Sequence, residues 1–277
     1  MKILLPLPGI FLCLFFFNSV FAEDLKTLSL KGNIGKYAIE MQITDSDYET
    51  GLFKGKYKYA GKESYLSLKG EIFQSVIYME EFYNDKTTGE FFLEWNDGKL
   101  AGKWIGNNKS FDVNLSIVQG NEKLLESKSL SEYSQGTSTA LTGGYGTENY
   151  FLNDMWFSEE SPQMEVGFNG GYALIEEINE DSVRFQFELI VGPTYHFATG
   201  SGIAIRKGDH YEYRMVVENE KEDCVIQLTF GERSTHLYAN QSFICGFGAR
   251  AYLDHDLVKI TDRYEFGDQV SLSDLKK

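Results

Sequence analysis

The sequence predicts an all-β protein made of two antiparallel β domains, the first a meander or small barrel and the second a disulfide-bearing β-sheet domain. Three observations carry this. Short runs alternate apolar and polar residues with a period of two, turn residues separate those runs at close intervals, and two cysteines remain once a secretory leader is set aside. Period-two alternation sends one set of side chains to a core and the other to water.

Residues 1–22 read as a cleaved signal peptide. Lys2 supplies the positive start, Ile3 to Phe17 form the apolar run, and Ser19-Val20-Phe21-Ala22 ends on a small residue before Glu23 and Asp24. That order of charge, apolar core and small residue is what a signal peptidase needs. The alternative, an uncleaved anchor, needs ~20 apolar residues to cross a bilayer, and this run is shorter. Cys13 lies inside the apolar run rather than at the cleavage point, which argues against a lipid anchor.

The first domain is expected over residues 25–118. Tyr37, Ile39, Met41 and Ile43 alternate with polar residues, then Phe53, Gly55, Tyr57 and Tyr59 alternate with Lys54, Lys56 and Lys58. Leu66 and Leu68, then Phe91, Leu93 and Trp95, then Leu100, Gly102 and Trp104, and finally Phe111, Val113, Leu115 and Ile117 continue the series. Gly61-Lys62, Asn84-Asp85, Asn96-Asp97-Gly98 and Asn107-Asn108 are the turn signals between runs, and such short connections join antiparallel neighbours. Seven or eight sequential strands bury their edges by closing into a barrel; an open sheet or a sandwich is the alternative. Glu80 and Glu81 interrupt the apolar run Val76 to Phe82. Either one of them points inward or the strand ends there, and a strand end is the expectation.

Residues 119–144 turn to Ser, Thr, Gly, Gln and Glu, a linker composition that leaves room for a short helix around Glu122–Ser134. The second domain is expected over 145–266, from the runs Val183-Phe185-Phe187-Leu189, Tyr211-Tyr213-Met215-Val217 and Cys224-Ile226-Leu228-Phe230. Cys224 shares a strand face with core residues, so a bridge to Cys245 would lie inside or beneath the sheet. An even cysteine count in an oxidising compartment argues for that disulfide, the alternative being two separate buried thiols. Gly200-Ser201-Gly202 reads as a hairpin turn, and Gly170-Gly171 as a tight turn. Residues 267–277 form a polar tail.

The 277 residues hold 26 Lys and Arg against 41 Asp and Glu, a net charge of −15, and loss of residues 1–22 takes away only Lys2. So acidic a chain is a poor nucleic-acid binder, since phosphate binding depends on basic side chains that release counterions. It is drawn instead to a cationic protein partner; the alternative is that the acidity serves solubility. No second long apolar run follows the leader, so no membrane span is expected after cleavage.

Catalytic signatures are sparse. Gly-x-Ser-x-Gly, His-Glu-x-x-His, a P-loop and an EF-hand loop are all missing. The histidines His196, His210, His236 and His255 are at no metal-ligand spacing, so neither a metal nor a cofactor is expected. His255 stands in Asp254-His255-Asp256, an acidic turn expected to raise its proton affinity. Tyr195 and His196 sit in a Gly/Pro loop, Gly192 to Phe197, and loops that present rings are common binding surfaces. Tyr145 to Tyr172 mixes rings with amides. Trp156, Asn169 and Tyr172 are its candidate binding residues, the alternative being ordinary core and turns. A glycosidase needs two facing carboxylates, and the spacing of the acids nominates none.

The run Gly32-Asn33-Ile34-Gly35-Lys36-Tyr37, with Gly55-Lys56-Tyr57, Leu68-Lys69-Gly70, Thr88-Gly89-Glu90-Phe91 and Gly102-Lys103-Trp104, resembles a β-meander module of uncharacterised exported bacterial proteins. Its strand rhythm is similar to that of small avidin-like or lipocalin-like barrels. Cys224, then Cys245-Gly246-Phe247-Gly248-Ala249-Arg250-Ala251, then Asp254, resembles a disulfide-bearing module of periplasmic proteins, some of them lysozyme-inhibitor-like. That module continues with Asp-Gly and an aromatic, whereas here His255 and Asp256-Leu257 follow. The resemblance implies a periplasmic or secreted protein that binds a cationic hydrolase such as a lysozyme. Two other functions compete with it: an envelope glycan hydrolase with an acidic pair, and a barrel carrying a small apolar ligand.

Overall fold

The computed structural model describes residues 27–154, 163–192, 194–218, 220–248, 250–267 and 270–277. The expected signal peptide lies outside them. The first eight strands are β1 (Leu28–Ile34), β2 (Tyr37–Ser46), β3 (Leu52–Tyr59), β4 (Leu66–Phe73), β5 (Val76–Tyr83), β6 (Lys86–Asn96), β7 (Lys99–Gly106) and β8 (Lys109–Gln119). Each pairs with the next, and β8 returns to β1 with Leu30 opposite Ile117, which closes a barrel. Closure decides between the barrel and the open sheet or sandwich, and it leaves no unpaired edge.

Three expected turns are two-residue hairpins. Asn84-Asp85, Asp97-Gly98 and Asn107-Asn108 have positive φ at both central residues, the conformation that matches the twist of the flanking strands. Inside, Leu28, Leu30, Ile43, Tyr57, Met79, Phe91, Leu93 and Leu100 belong to one contiguous cluster of buried side chains. Eight strands enclose an interior about wide enough for side chains to fill.

The second set is β9 (Gly143–Asp154), β10 (Met164–Asn179), β11 (Ser182–Val191), β12 (His196–Lys207), β13 (His210–Met215), β14 (Cys224–Phe230), β15 (Ser234–Ala239) and β16 (Asp254–Thr261). It closes in the same way, with Val258 of β16 opposite Gly146 of β9. The expected disulfide is formed: Cys224 joins Cys245, and Cys224 is buried in the core of this barrel.

Two expected turns are instead strand interior. Gly200-Ser201-Gly202 lies within β12, where a Cβ on Gly200 would meet the Phe187 ring at 2.8 Å and one on Gly202 the Tyr213 ring at 2.6 Å. Gly170 and Gly171 lie within β10, where a Cβ would meet the Thr147 carbonyl oxygen at 2.2 Å and that of Glu188 at 2.0 Å. Glycine serves close packing at these four positions rather than reversal of the chain. Nor does β5 end at Glu80: the strand runs on to Tyr83, and Glu81 turns inward.

Between the barrels the chain forms a 3-10 turn (Glu122–Leu125) and a one-turn helix α1 (Leu130–Ser134); a second, α2 (Leu272–Leu275), lies in the tail. Leu125 enters the core of the first barrel. Leu130 and Leu275 cover the outer wall of the second, packing with Tyr172, Leu174 and Ile260. The barrels touch where the β4–β5 turn of the first meets the β9 wall of the second. The Phe73 and Tyr150 rings lie 4.9 Å apart there, and Gln74 Nε2 donates to the Glu148 carbonyl at 3.0 Å. Among the described residues no helix is long and apolar enough to cross a membrane.

Candidate functional site

Alternating strand directions gather the connections of each barrel at two ends. At one end of the second barrel lie the β11–β12, β13–β14 and β15–β16 connections, and two candidate residues sit there. Tyr195 adopts φ +53°, and its hydroxyl donates to Glu165 Oε1 at 2.7 Å. Glu165 also accepts from Asn153 Nδ2 at 3.0 Å. Burial, then the hydrogen bond to Glu165, pushes the Tyr195 phenol up to about 12, so the group remains a donor. His196 Nε2 shares a hydrogen bond of 2.7 Å with Thr194 Oγ1. The next residue, Phe197, is half exposed, and its carbonyl accepts from Gly248 N at 3.1 Å, which ties this loop to the disulfide-bearing connection.

The same end exposes apolar side chains. Phe243 is 83% exposed and Val216 77%, and Met215 and Tyr252 are also exposed. Glu218, Glu220 and Glu222 follow Val216 in the β13–β14 connection and point to solvent. Exposed apolar side chains and glutamates at one barrel end, with Lys221 among the glutamates, suit a basic protein surface that also brings apolar contacts.

The other candidates are elsewhere. Tyr172 is buried on the outer wall against Leu130, Leu174, Ile260 and Leu275. Asn169 stands mid-strand in β10, its Oδ1 buried without a hydrogen-bond partner among the described residues. Trp156 falls outside the described residues. His255 departs from expectation: burial lowers its proton affinity, and this outweighs the pull of Asp254 and Asp256. Both acids also lie against His236, whose Nδ1 is 2.9 Å from Asp256 and Nε2 3.4 Å from Asp254. Among the described residues no three His, Cys, Asp or Glu side chains are placed to hold a metal.

Three glutamates that the sequence did not single out, Glu49, Glu71 and Glu148, line a cleft of about 180 Å³ between the barrels, with Phe73, Tyr133 and Tyr150 in its walls; Glu49 is paired with Lys128 at 2.8 Å. Burial raises the Glu71 carboxyl. Glu148 is paired with Lys276 at 2.6 Å. Burial, then the charges of Glu148 and Glu71, raises the Tyr150 phenol, so both acids act on one hydroxyl.

The first barrel buries a further carboxylate. Glu81, 5% exposed, accepts from the Tyr57 hydroxyl, from Trp104 Nε1 at 2.9 Å and from Thr88 Oγ1 at 2.5 Å. Burial, then Glu81, drives the Tyr57 phenol up, which keeps it a donor. The sequence signal for Glu81 was its inward parity, shared with Ile77 and Met79, and reading a strand end at Glu80 masked it.

Comparison with family models, with curated proteins and with solved structures returns no match.

Proposed function

We propose that this protein works outside the cytoplasm by binding a cationic protein partner at the exposed end of the second barrel, in the manner of an inhibitor of a basic hydrolase such as a lysozyme. One observation carries the reading: the negative charge is segregated. Residues 143–261 hold 19 acids against 8 bases, whereas residues 28–119 hold 13 against 11. A charge spread only for solubility has no reason to divide in this way. A concentrated field steers an oppositely charged partner and speeds encounter. The leader-like first 22 residues and the Cys224–Cys245 bridge support an oxidising, exported setting.

The test is binding to a basic lysozyme at low and at physiological salt. Binding should weaken steeply across that range, because exposed charges are screened within about 8 Å at 0.15 M. Glu218→Lys with Glu220→Lys and Glu222→Lys should lower affinity about tenfold through slower association, and Phe243→Ala should lower it through faster dissociation. No interaction at low salt with any lysozyme would remove the inhibitor reading.

The inter-barrel cleft favours a second reading, a glycan hydrolase, through the contrast between desolvated Glu71 and ion-paired Glu148. Turnover of a glycan that is lost in both Glu71→Gln and Glu148→Gln would support it.

A further inference from the structure

The far end of the first barrel, opposite its contact with the second, is built as a ring platform on a buried carboxylate. Glu81 fixes Tyr57 and Trp104 by hydrogen bonds, and each passes that order outward. The Tyr57 ring meets Tyr59 edge-on at 5.7 Å, and Trp104 stacks on Phe111 at 5.9 Å. Tyr59 and Phe111 then hold Tyr37 between them, at 6.1 and 6.5 Å with interplanar angles of 83° and 90°. Tyr37 is 47% exposed despite these contacts. A buried carboxylate costs several kcal/mol of desolvation, and here that cost is spent on holding surface rings in place. Preorganised rings of this kind are what a binding site needs from its supporting residues.

An open cleft of about 540 Å³ lies on this platform, lined by Tyr37, Tyr59, Ala38, Ala60, Lys36 and Lys62. Both lysines are exposed, and neither is in an ion pair among the described residues. Lys36 Nζ stands 5.4 Å from the Tyr37 ring centre, a contact that positions the cation without neutralising it. Lys36 and Lys62 place two exposed cations beside a ring floor. Flat ring faces and alanine methyls suit the C–H face of a sugar ring, the lysines suit an anion, and barrel mouths are a preferred place for small ligands.

We propose that this end of the first barrel binds an anionic sugar, a pyranose bearing a carboxylate or a phosphate. The proposal is independent of the protein partner assigned to the second barrel.

Calorimetric titration of the purified protein tests it, with D-glucuronate and glucose 1-phosphate as ligands, glucose as the neutral ring and sulfate as the anion without a ring. Both anionic sugars should bind saturably and at least about tenfold more tightly than glucose or sulfate, a difference of ~1.4 kcal/mol. Tyr37→Ala, and Lys36→Ala with Lys62→Ala, should each weaken binding about tenfold. The lysine pair is exposed and should leave the urea midpoint in place, whereas Tyr37→Ala also loses its ring contacts with Tyr59 and Phe111 and should lower the midpoint modestly without unfolding the barrel. Sulfate binding as well as the sugars, glucose binding as well as the anionic sugars, undiminished binding in Tyr37→Ala, or no saturation by about 50 mM ligand would each overturn the proposal.

Discussion

Glu81→Leu is the sharpest test of how the first barrel is held together. The substitution keeps most of the volume but removes the acceptor of the Tyr57 hydroxyl, the Trp104 indole N–H and the Thr88 hydroxyl, of which only the part-buried Thr88 can turn to water. Tyr57 is fully buried and Trp104 8% exposed, so neither donor regains water. Each orphaned donor costs ~1–3 kcal/mol. Removing the carboxylate returns part of its own desolvation cost, which leaves a net loss of about 3 kcal/mol. Urea unfolding followed by tryptophan fluorescence reads it, because Trp95 and Trp104 both belong to this barrel. With a slope of about 2 kcal/mol/M, the midpoint should fall by about 1.5 M. Tyr57→Phe should cost about 2 kcal/mol, as expected for a hydrogen bond to a charged acceptor. The double variant Glu81→Leu/Tyr57→Phe should cost less than the two losses combined by about 1 kcal/mol, because it removes donor and acceptor together. Additivity within about 0.5 kcal/mol, or a Glu81→Leu variant as stable as the parent, would refute the account of Glu81 as a shared acceptor.

Three further outcomes follow from other parts of the molecule. Cys224→Ala with Cys245→Ala opens a loop with a sequence separation of 21 and should destabilise the second barrel by about 3 kcal/mol, seen as a lower midpoint that reducing agent no longer shifts. Lys259 is fully buried, with Nζ 2.7 Å from Asp262 and donating to the Ala140 carbonyl at 2.6 Å; Lys259→Met should cost about 2 kcal/mol, given that Asp262 is half exposed. In the parent, the Lys259 hydrogen bond holds the Asp262 carboxyl down at about 2, so this contribution is present above the ordinary Asp range near pH 4 and lost toward pH 2. NMR titration of the variant should show Asp262 rising toward its ordinary value. Glu71 has the opposite sign: burial raises its folded pKa, so stability falls as pH rises from the unfolded value through the folded one, and Glu71→Gln should leave the urea midpoint at pH 7 unchanged or higher.

Much of the fold was legible because it is local. Alternation within β2, β3, β8, β11 and β14 is set by the pleat, and Asn84-Asp85 and Asn107-Asn108 are turn residues whatever surrounds them. Glycine was misread where its reason is distant. Gly200 and Gly202 make room for rings on other strands, and Gly170 and Gly171 for neighbouring carbonyls, none of which a linear pattern contains. The linker and tail looked merely polar, yet Leu125, Leu130 and Leu275 anchor them. Of the candidate binding residues, Tyr195 and His196 came together because they are adjacent in one loop. Asn169 and Tyr172 separated from them because strand direction carries them along the wall.

The sequence by itself determined the β class, the strand rhythm, the partner of Cys224 and the segregation of acid toward the second half, since each is a property of neighbours or of composition. Tertiary structure alone decided that both sheets close, that Tyr57 and Trp104 are the groups that meet Glu81, that His255 loses rather than gains proton affinity, and that Glu71 and Glu148 share a cleft. The physical reason is common to all four. Closure, desolvation and shared hydrogen bonds depend on which groups meet across space, and in a barrel those groups come from strands far apart in the chain.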